Sequence, residues 1–368
     1  MADGIILSPT KVQSFQVDSK RLHIADFVEF EADQQIVVGQ VVNLVRSTER
    51  TLADINVLGS LLDGKLKMPT VPPVPGSAVY TASDKIIKDV LHSTENGIYV
   101  GILRGHHVKV SLNPDVLLKK HLSIISSTGG GKSYSAGIII EELLKRRYPV
   151  VVIDVADEYR EMIYPNHMME KWQRFKRYPR GYPENFQSVN YWDKTCKKLI
   201  KAGTMTTVNL KKVKEGDRPS IVQDVCDNMF EWIVNRKIKP CFLIIEETHN
   251  FAPQAGSTCA SDSIIKVVSE GRKHGLGCCV ITQRPAKLDK NVLSQCWTAI
   301  IHKLMIMNDL KAVTDNMENA PPNSDEIIQQ LSPGEGFVVG GGLSFPVVIE
   351  TRERMSGYMI SGEPDAHH

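Results

Sequence analysis

The stretch Ser126-Ser127-Thr128-Gly129-Gly130-Gly131-Lys132-Ser133 restricts the fold of this chain more than any other. It follows a short apolar run, Leu122 to Ile125, and opens into a helix-forming run, Tyr134 to Leu144. That strand–loop–helix context is what a phosphate-binding loop requires. Glycines at 129, 130 and 131 let the backbone turn its N–H groups inward around phosphate oxygens. The following helix adds the positive end of its dipole. Lys132 is suited to reach the β- and γ-phosphates, and the Ser133 hydroxyl to ligate Mg²⁺. Ser127, Thr128, Gly129, Gly130, Gly131, Lys132, Ser133 and Tyr134 are therefore the nucleotide-binding candidates. Such loops usually begin with Gly or Ala; Ser126 is also small and fits.

A second acidic element lies downstream. Phe242-Leu243-Ile244-Ile245 is an apolar strand that ends in Glu246-Glu247. Ligands collect at the strand ends of a parallel sheet. Phosphoryl transfer needs a metal shell and a positioned water, so Glu246 is assigned to Mg²⁺ and Glu247 to the water. A whole strand and helix separate this element from the loop. That spacing favours the ATPase branch with an extra strand between the two motifs, where a polar residue on the inserted strand senses the γ-phosphate. Gln283, in Val280-Ile281-Thr282-Gln283-Arg284-Pro285, is that candidate.

Around these motifs the chain changes grammar. The first hundred or so residues read as short strands: Gln35 to Leu44 with Gly39 inside it, Thr51 to Leu58, Ala78 to Tyr80, Ile98 to Leu103 and Val108 to Val110. Pro72-Pro73-Val74-Pro75-Gly76 is a stiff connector. This spacing predicts a small barrel. From about Asn113, buried strands alternate with helices, which means a parallel sheet covered on both faces. The expected fold is α/β: a RecA-like P-loop ATPase core preceded by a small N-terminal β-barrel. The expected division is 1–110 for barrel and connector and 111–368 for the ATPase domain, with a basic helical insertion at about 160–204 and a β-rich tail.

Composition excludes little. The chain has 368 residues, 42% hydrophobic and 23% charged, with a net charge of +2, so global charge does not announce a nucleic-acid binder. No apolar run is long enough to span a bilayer. Seven scattered cysteines with no C-x-x-C pair argue against a zinc ribbon, and with no secretory leader they suggest a reducing cytoplasm. Lys171, Arg174, Lys176, Arg177 and Arg180 interleave with Trp172, Phe175, Tyr178 and Tyr182, and Lys194, Lys197, Lys198 and Lys201 follow. Such a surface can touch phosphates without reading sequence; it reads equally as a solvated helical face or a partner-docking surface. Arg272, in Glu270-Gly271-Arg272-Lys273-His274-Gly275, has two readings of equal weight: a cation at a helix C-terminus, or a finger projected into a neighbour's site.

Together these elements resemble the HerA-type ring ATPases, relatives of the FtsK DNA pumps. The resemblance rests on Pro72 to Tyr80, Ile98-Tyr99-Val100-Gly101, Leu118-Lys119-Lys120-His121, the loop itself, Asp154-Val155-Ala156-Asp157-Glu158-Tyr159, Ile245 to Phe251, Glu270 to Gly275 and Thr282 to Pro285. It implies a homohexamer with ATP and Mg²⁺ at subunit interfaces. It also implies ATP-driven translocation on double-stranded DNA without sequence preference, or its unwinding. Arg272 is then the trans-acting finger, and Asp154 and Glu158 lie near the nucleotide. The implied partner is a nuclease for DNA end processing, docked on the barrel. The alternative is a ring that activates a nuclease or sirtuin-like effector in antiphage defence. A monomeric nucleotide switch fits poorly, because Arg272 then lacks a partner site. Lys120 stands where the family usually has Arg; it keeps the charge but loses the planar fork.

Overall fold

The computed structural model describes residues 2–357 apart from 33, 63–64, 95, 164–185, 318–320 and 322. Alternating side chains of the first strands point into one small interior. They are β1 (Gly4–Ile6), β2 (Ser14–Asp18), β3 (Phe27–Ala32), β4 (Gln35–Arg46), β5 (Thr51–Leu62), β6 (Lys65–Lys67) and β7 (Ala78–Thr81). The order β2-β1-β7-β3-β4-β5 closes through β2–β5 pairing, with β6 appended to β5. Phe15, Val17, Val28, Phe30, Val37, Val41, Ile55 and Val79 fill the interior. Gly39 sits at a register shift of β4 against β5. A Cβ there would lie 2.6 Å from Ile55 Cγ2, so the strand bends where only glycine fits.

The larger sheet has eleven strands. They are β8 (Ile98–Leu103), β9 (Lys109–Leu112), β10 (Leu122–Ile125), β11 (Val150–Asp154), β12 (Phe186–Val189), β13 (Met205–Asn209), β14 (Cys241–Ile245), β15 (Leu276–Thr282), β16 (Thr298–Ile301), β17 (Glu335–Val339) and β18 (Val347–Thr351), in the order β12-β13-β11-β14-β15-β10-β16-β17-β18-β8-β9. The first seven in that order run parallel. The last four add antiparallel pairings. One face is covered by α1 (Asp84–Leu91), α2 (Pro114–Lys120) and α3 (Lys132–Lys145). The other is covered by α4 (Arg218–Val234), α5 (Ser261–Glu270), α6 (Lys290–Ser294), α7 (Met307–Thr314) and α8 (Ser324–Gln330). Strands buried on both faces explain the continuous apolar runs: in β14, Phe242 and Ile244 enter one core while Leu243 and Ile245 enter the other.

Two local expectations differ from the structure. Ile98–Leu103 and the neighbouring strand Lys109–Leu112 are not barrel strands. They form a hairpin that extends the ATPase sheet, because β8 pairs with β18. The expected helical insertion at 160–204 carries, in its described part, an edge strand, Phe186–Val189, paired with β13. Its basic-aromatic core, Lys171 to Tyr182, lies outside the described residues, as do the terminal histidines. Lys194, Lys197, Lys198 and Lys201 are described and exposed, around a short 3-10 turn anchored by buried Trp192 and Cys196. The seven cysteines are free thiols. Among the described residues, no helix is long and apolar enough to cross a membrane.

Candidate active site

The inserted strand is present: β15 lies between β10, which carries the loop, and β14, which carries the acidic pair. All three strands are parallel, so their C-terminal ends bring loop, carboxylates and Gln283 to one edge. Gly129 and Gly131 have φ of 73° and 101°, left-handed values that let the loop turn sharply and that L side chains resist. Ser126 is buried beneath the loop, and a Cβ on Gly130 would lie 3.1 Å from its own Cβ. Its small size is therefore a packing requirement. Lys132 and Ser133 begin α3 directly behind Gly131.

Lys132 is the centre of charge. Its Nζ lies 3.2 Å from Glu247 Oε1 and 3.9 Å from Glu158 Oε1. Burial opposes its charge, but Glu246, Glu158 and Glu247 outweigh that and raise its pKa. Glu247 has a left-handed backbone, φ 46°, at the sharp turn off β14. Its Oε2 is buried and accepts no hydrogen bond among the described residues, with His249 Nδ1 3.4 Å away. His249 Nδ1 also lies 2.9 Å from Thr282 Oγ1, which ties the acidic turn to the end of β15. One residue on, Gln283 Oε1 accepts from Thr128 Oγ1 at 2.7 Å, so the polar residue of the inserted strand touches the loop.

Glu246 is nearly inaccessible, at 3% exposure. Burial pushes its carboxyl up to about 8 against the pull of Lys132 and of the Tyr159 hydroxyl, which donates to Glu246 Oε1. Tyr159 comes from the turn after β11. There Asp154 Oδ1 accepts from the Glu158 backbone N–H at 3.0 Å and Oδ2 from that of Tyr159 at 3.2 Å. Burial still raises Asp154 to about 6. Asp154 thus builds the turn, and the turn delivers Glu158 to the loop, where its carboxylate accepts from the Ser133 hydroxyl. Among the described residues no three His, Cys, Asp or Glu side chains gather as a full metal cage. The Ser133 hydroxyl and the Glu246 carboxylate are hard oxygen donors, and a Mg²⁺ site built on one or two protein oxygens plus substrate phosphates fits them.

Several supporting groups carry no motif. His302, buried under the loop, places Nδ1 2.6 Å from the Glu335 carbonyl, so that nitrogen holds the proton and Nε2 accepts from Ser135 Oγ at 2.8 Å. Burial lowers its pKa. Residues 352–357 form a strap across α3. Arg354, 1% exposed, donates its backbone N–H to the Tyr134 hydroxyl at 2.9 Å and its guanidinium to the Ser133 carbonyl at 3.4 Å. Glu141 Oε1 accepts from the backbone N–H groups of Met355 and Ser356, and Glu141 Oε2 pairs with Arg352 at 2.8 Å. Only the nonlocal fold brings these residues together. His249 stands two residues after the acidic pair, a signal the sequence offers, whereas Tyr159 is 87 residues from Glu246 and only the fold brings its hydroxyl there.

Arg272 is the one catalytic candidate that the fold keeps away. It lies in the turn before β15, near buried His121, whose ring clasps Cys278 N–H and the Val268 carbonyl. The strand rise puts it about 20 Å from the Thr282 end. Lys120, next to His121 in sequence, stacks over Trp297 with Nζ 3.7 Å from the ring centroid, a contact an ammonium makes without the guanidinium fork.

A phosphate loop, an inserted strand and an acidic strand end in one parallel sheet define a P-loop ATPase. The family described as "Helicase HerA, central domain" matches residues 98–193, and "Zonular occludens toxin (Zot)" matches 193–313. The chain is 26% identical to a probable helicase of Methanocaldococcus jannaschii, over 81% of this chain and 76% of the relative. It is 23% identical to the DNA double-strand break repair helicase HerA of Sulfolobus acidocaldarius, over 83% of this chain and 78% of the relative. Its fold is similar to that of VirB4 of Thermoanaerobacter pseudethanolicus, at TM-score 0.51 and 12% identity, covering 71% of this chain and 97% of that one. The chain is thus similar to the HerA-type helicases over most of its length, and it is an ATP-hydrolysing enzyme.

Proposed function

We infer that this protein is a homohexameric motor that uses ATP to move along double-stranded DNA or unwind it. The observation that carries the chemistry is the split duty of Glu247: one oxygen on Lys132, the other buried beside His249 and accepting no hydrogen bond among the described residues. An attacking water would supply a donor, and Glu247 would orient it and take its proton. Lys132 would neutralise the β- and γ-phosphates, with the loop N–H groups of residues 127–133 cradling them and Tyr134 at the site's margin. Gln283, already on the loop through Thr128, would sense the γ-phosphate. Ser133 and Glu246 would hold Mg²⁺, which draws charge off the phosphates. Asp154 supports from beneath. The distance of Arg272 from its own loop favours the reading in which it completes a neighbour's site, and a homohexamer supplies that neighbour.

DNA as the track follows from the curated helicase relatives across most of the chain. The exposed lysines at 194, 197, 198 and 201 are suited to phosphate contacts. We divide the chain into the N-terminal barrel and the ATPase domain. The barrel is the proposed dock for a nuclease that processes the DNA ends the motor delivers. The test is ATP turnover with and without linear duplex DNA. Lys132→Ala should abolish turnover, and Glu247→Gln should bind ATP yet fail to hydrolyse it. Full activity in the first rejects the site, and normal turnover in the second rejects Glu247 as the base.

A further inference from the structure

Glu158 presents a difficulty for a simple nucleotide-binding role. Its carboxylate already uses both groups that begin the helix: it accepts the Ser133 hydroxyl proton with one oxygen and lies 3.9 Å from Lys132 Nζ with the other. A γ-phosphate at Lys132 would meet this carboxylate as a like charge in a half-buried site. Lys132 then faces three carboxylates, Glu158, Glu246 and Glu247. Two of these are held in place. Glu246 is buried and bonded to Tyr159, and the Glu247 side chain is 15% exposed on a strained turn. The Glu158 side chain is 34% exposed, and no other hydrogen bond to its carboxylate is found among the described residues.

We propose that Glu158 is a phosphate-mimicking gate: its carboxylate competes with the nucleotide's phosphates for Lys132 and Ser133 and must swing away for ATP to seat. The swing is a side-chain rotation, because Asp154 pins the backbone N–H groups of Glu158 and Tyr159. Asp157, with φ 67°, sets the turn from which Glu158 projects. The same turn carries Tyr159 on Glu246, so the gate is mechanically next to the acidic strand end. Such a gate holds the loop lysine in a compensated state between turnovers and speeds the exchange of nucleotide. Removing it therefore tightens binding, whereas removing a true ligand weakens it.

The inference rests on the loop being the phosphate site, and the experiment separates the two. Equilibrium binding of a slowly hydrolysed ATP analogue is measured on the full chain, with Mg²⁺ and in EDTA, for wild type, Glu158→Gln, Glu158→Ala and Lys132→Ala. Both Glu158 variants should bind about three- to tenfold more tightly in each condition, the net size of one ordinary competing hydrogen bond at a part-exposed side chain. In the Lys132→Ala background the gain should shrink, as expected for groups that act on one another. Unchanged or weaker binding in Glu158→Gln overturns the gate; weakening confined to Mg²⁺ identifies Glu158 as a support of the metal shell instead. Wild-type affinity in Lys132→Ala overturns the phosphate-site reading itself.

Discussion

Replacing Glu246 with glutamine should make this protein more stable at alkaline pH while removing a group proposed for catalysis. The carboxyl is buried and its pKa is pushed from 4.5 to about 8. The unfolded chain releases this proton near 4.5, whereas the folded chain holds it until about pH 8. The stability that the protonated form contributes is complete below 4.5 and is lost as pH rises through 8. Each pH unit in that window removes about 1.4 kcal/mol, so the ionised carboxylate costs about 5 kcal/mol at pH 9. Glutamine is neutral, similar in shape and still able to accept from Tyr159. With an unfolding entropy of about 2.1 cal/mol/K per residue, 5 kcal/mol corresponds to roughly 6 °C in a chain of this length. Thermal unfolding of both proteins, in EDTA without nucleotide from pH 5 to 9, should give curves that coincide near pH 5. They should then separate by about 1.5–2 °C per unit and run parallel above pH 8. A constant difference across the range would refute a buried, proton-holding Glu246. The expected cost is hydrolysis, an instance of a site that lowers the stability of its own fold.

Two further outcomes test other parts of the molecule. A Cβ at Gly137 would lie 2.4 Å from Arg354 Cζ, and the buried strap leaves that guanidinium no room to retreat. Gly137→Ala should therefore cost about 1–3 kcal/mol and weaken nucleotide binding through Tyr134 and Ser133; thermal unfolding and analogue binding measure both. Arg272→Ala and Glu247→Gln subunits, each inactive alone, should recover ATP turnover when mixed in one ring. No recovery in mixed rings of verified composition counts against a finger acting across the interface.

What could be read in the sequence was what the chain writes locally. Ser126 to Ser133 announces its own turn, because glycines in that order between strand and helix serve few other ends. Ile245-Glu246-Glu247 could be read because a carboxylate pair after four apolar residues marks a strand end. An inserted strand ending beside Gln283 agrees with the sheet order, which sets β15 between β10 and β14, but the count of one strand between the motifs was short, since β11, β12 and β13 all intervene in the chain. Strand partnership was not legible. Ile98–Leu103 has the same β-branched texture as the barrel strands, and its allegiance is decided by β18, far along the chain. Arg354 looked like any charged tail residue, since its burial depends on Gly137 lacking a side chain and on Ser356 turning back to Glu141. His302 was equally anonymous: its role comes from the Glu335 carbonyl and Ser135 meeting beneath the loop.

The strap also sets an order of events during synthesis. Met355 meets Glu141 across 214 residues of chain. At about 5–20 residues per second the ribosome needs roughly 10–40 s to cover that interval. Throughout it the loop and its helix exist without Arg352, Arg354 or Ser356, and β8 waits for β18. A nascent chain therefore emerges with its nucleotide loop already synthesised but not yet braced from its C-terminal side. The brace on α3 is therefore among the last contacts of the domain to form.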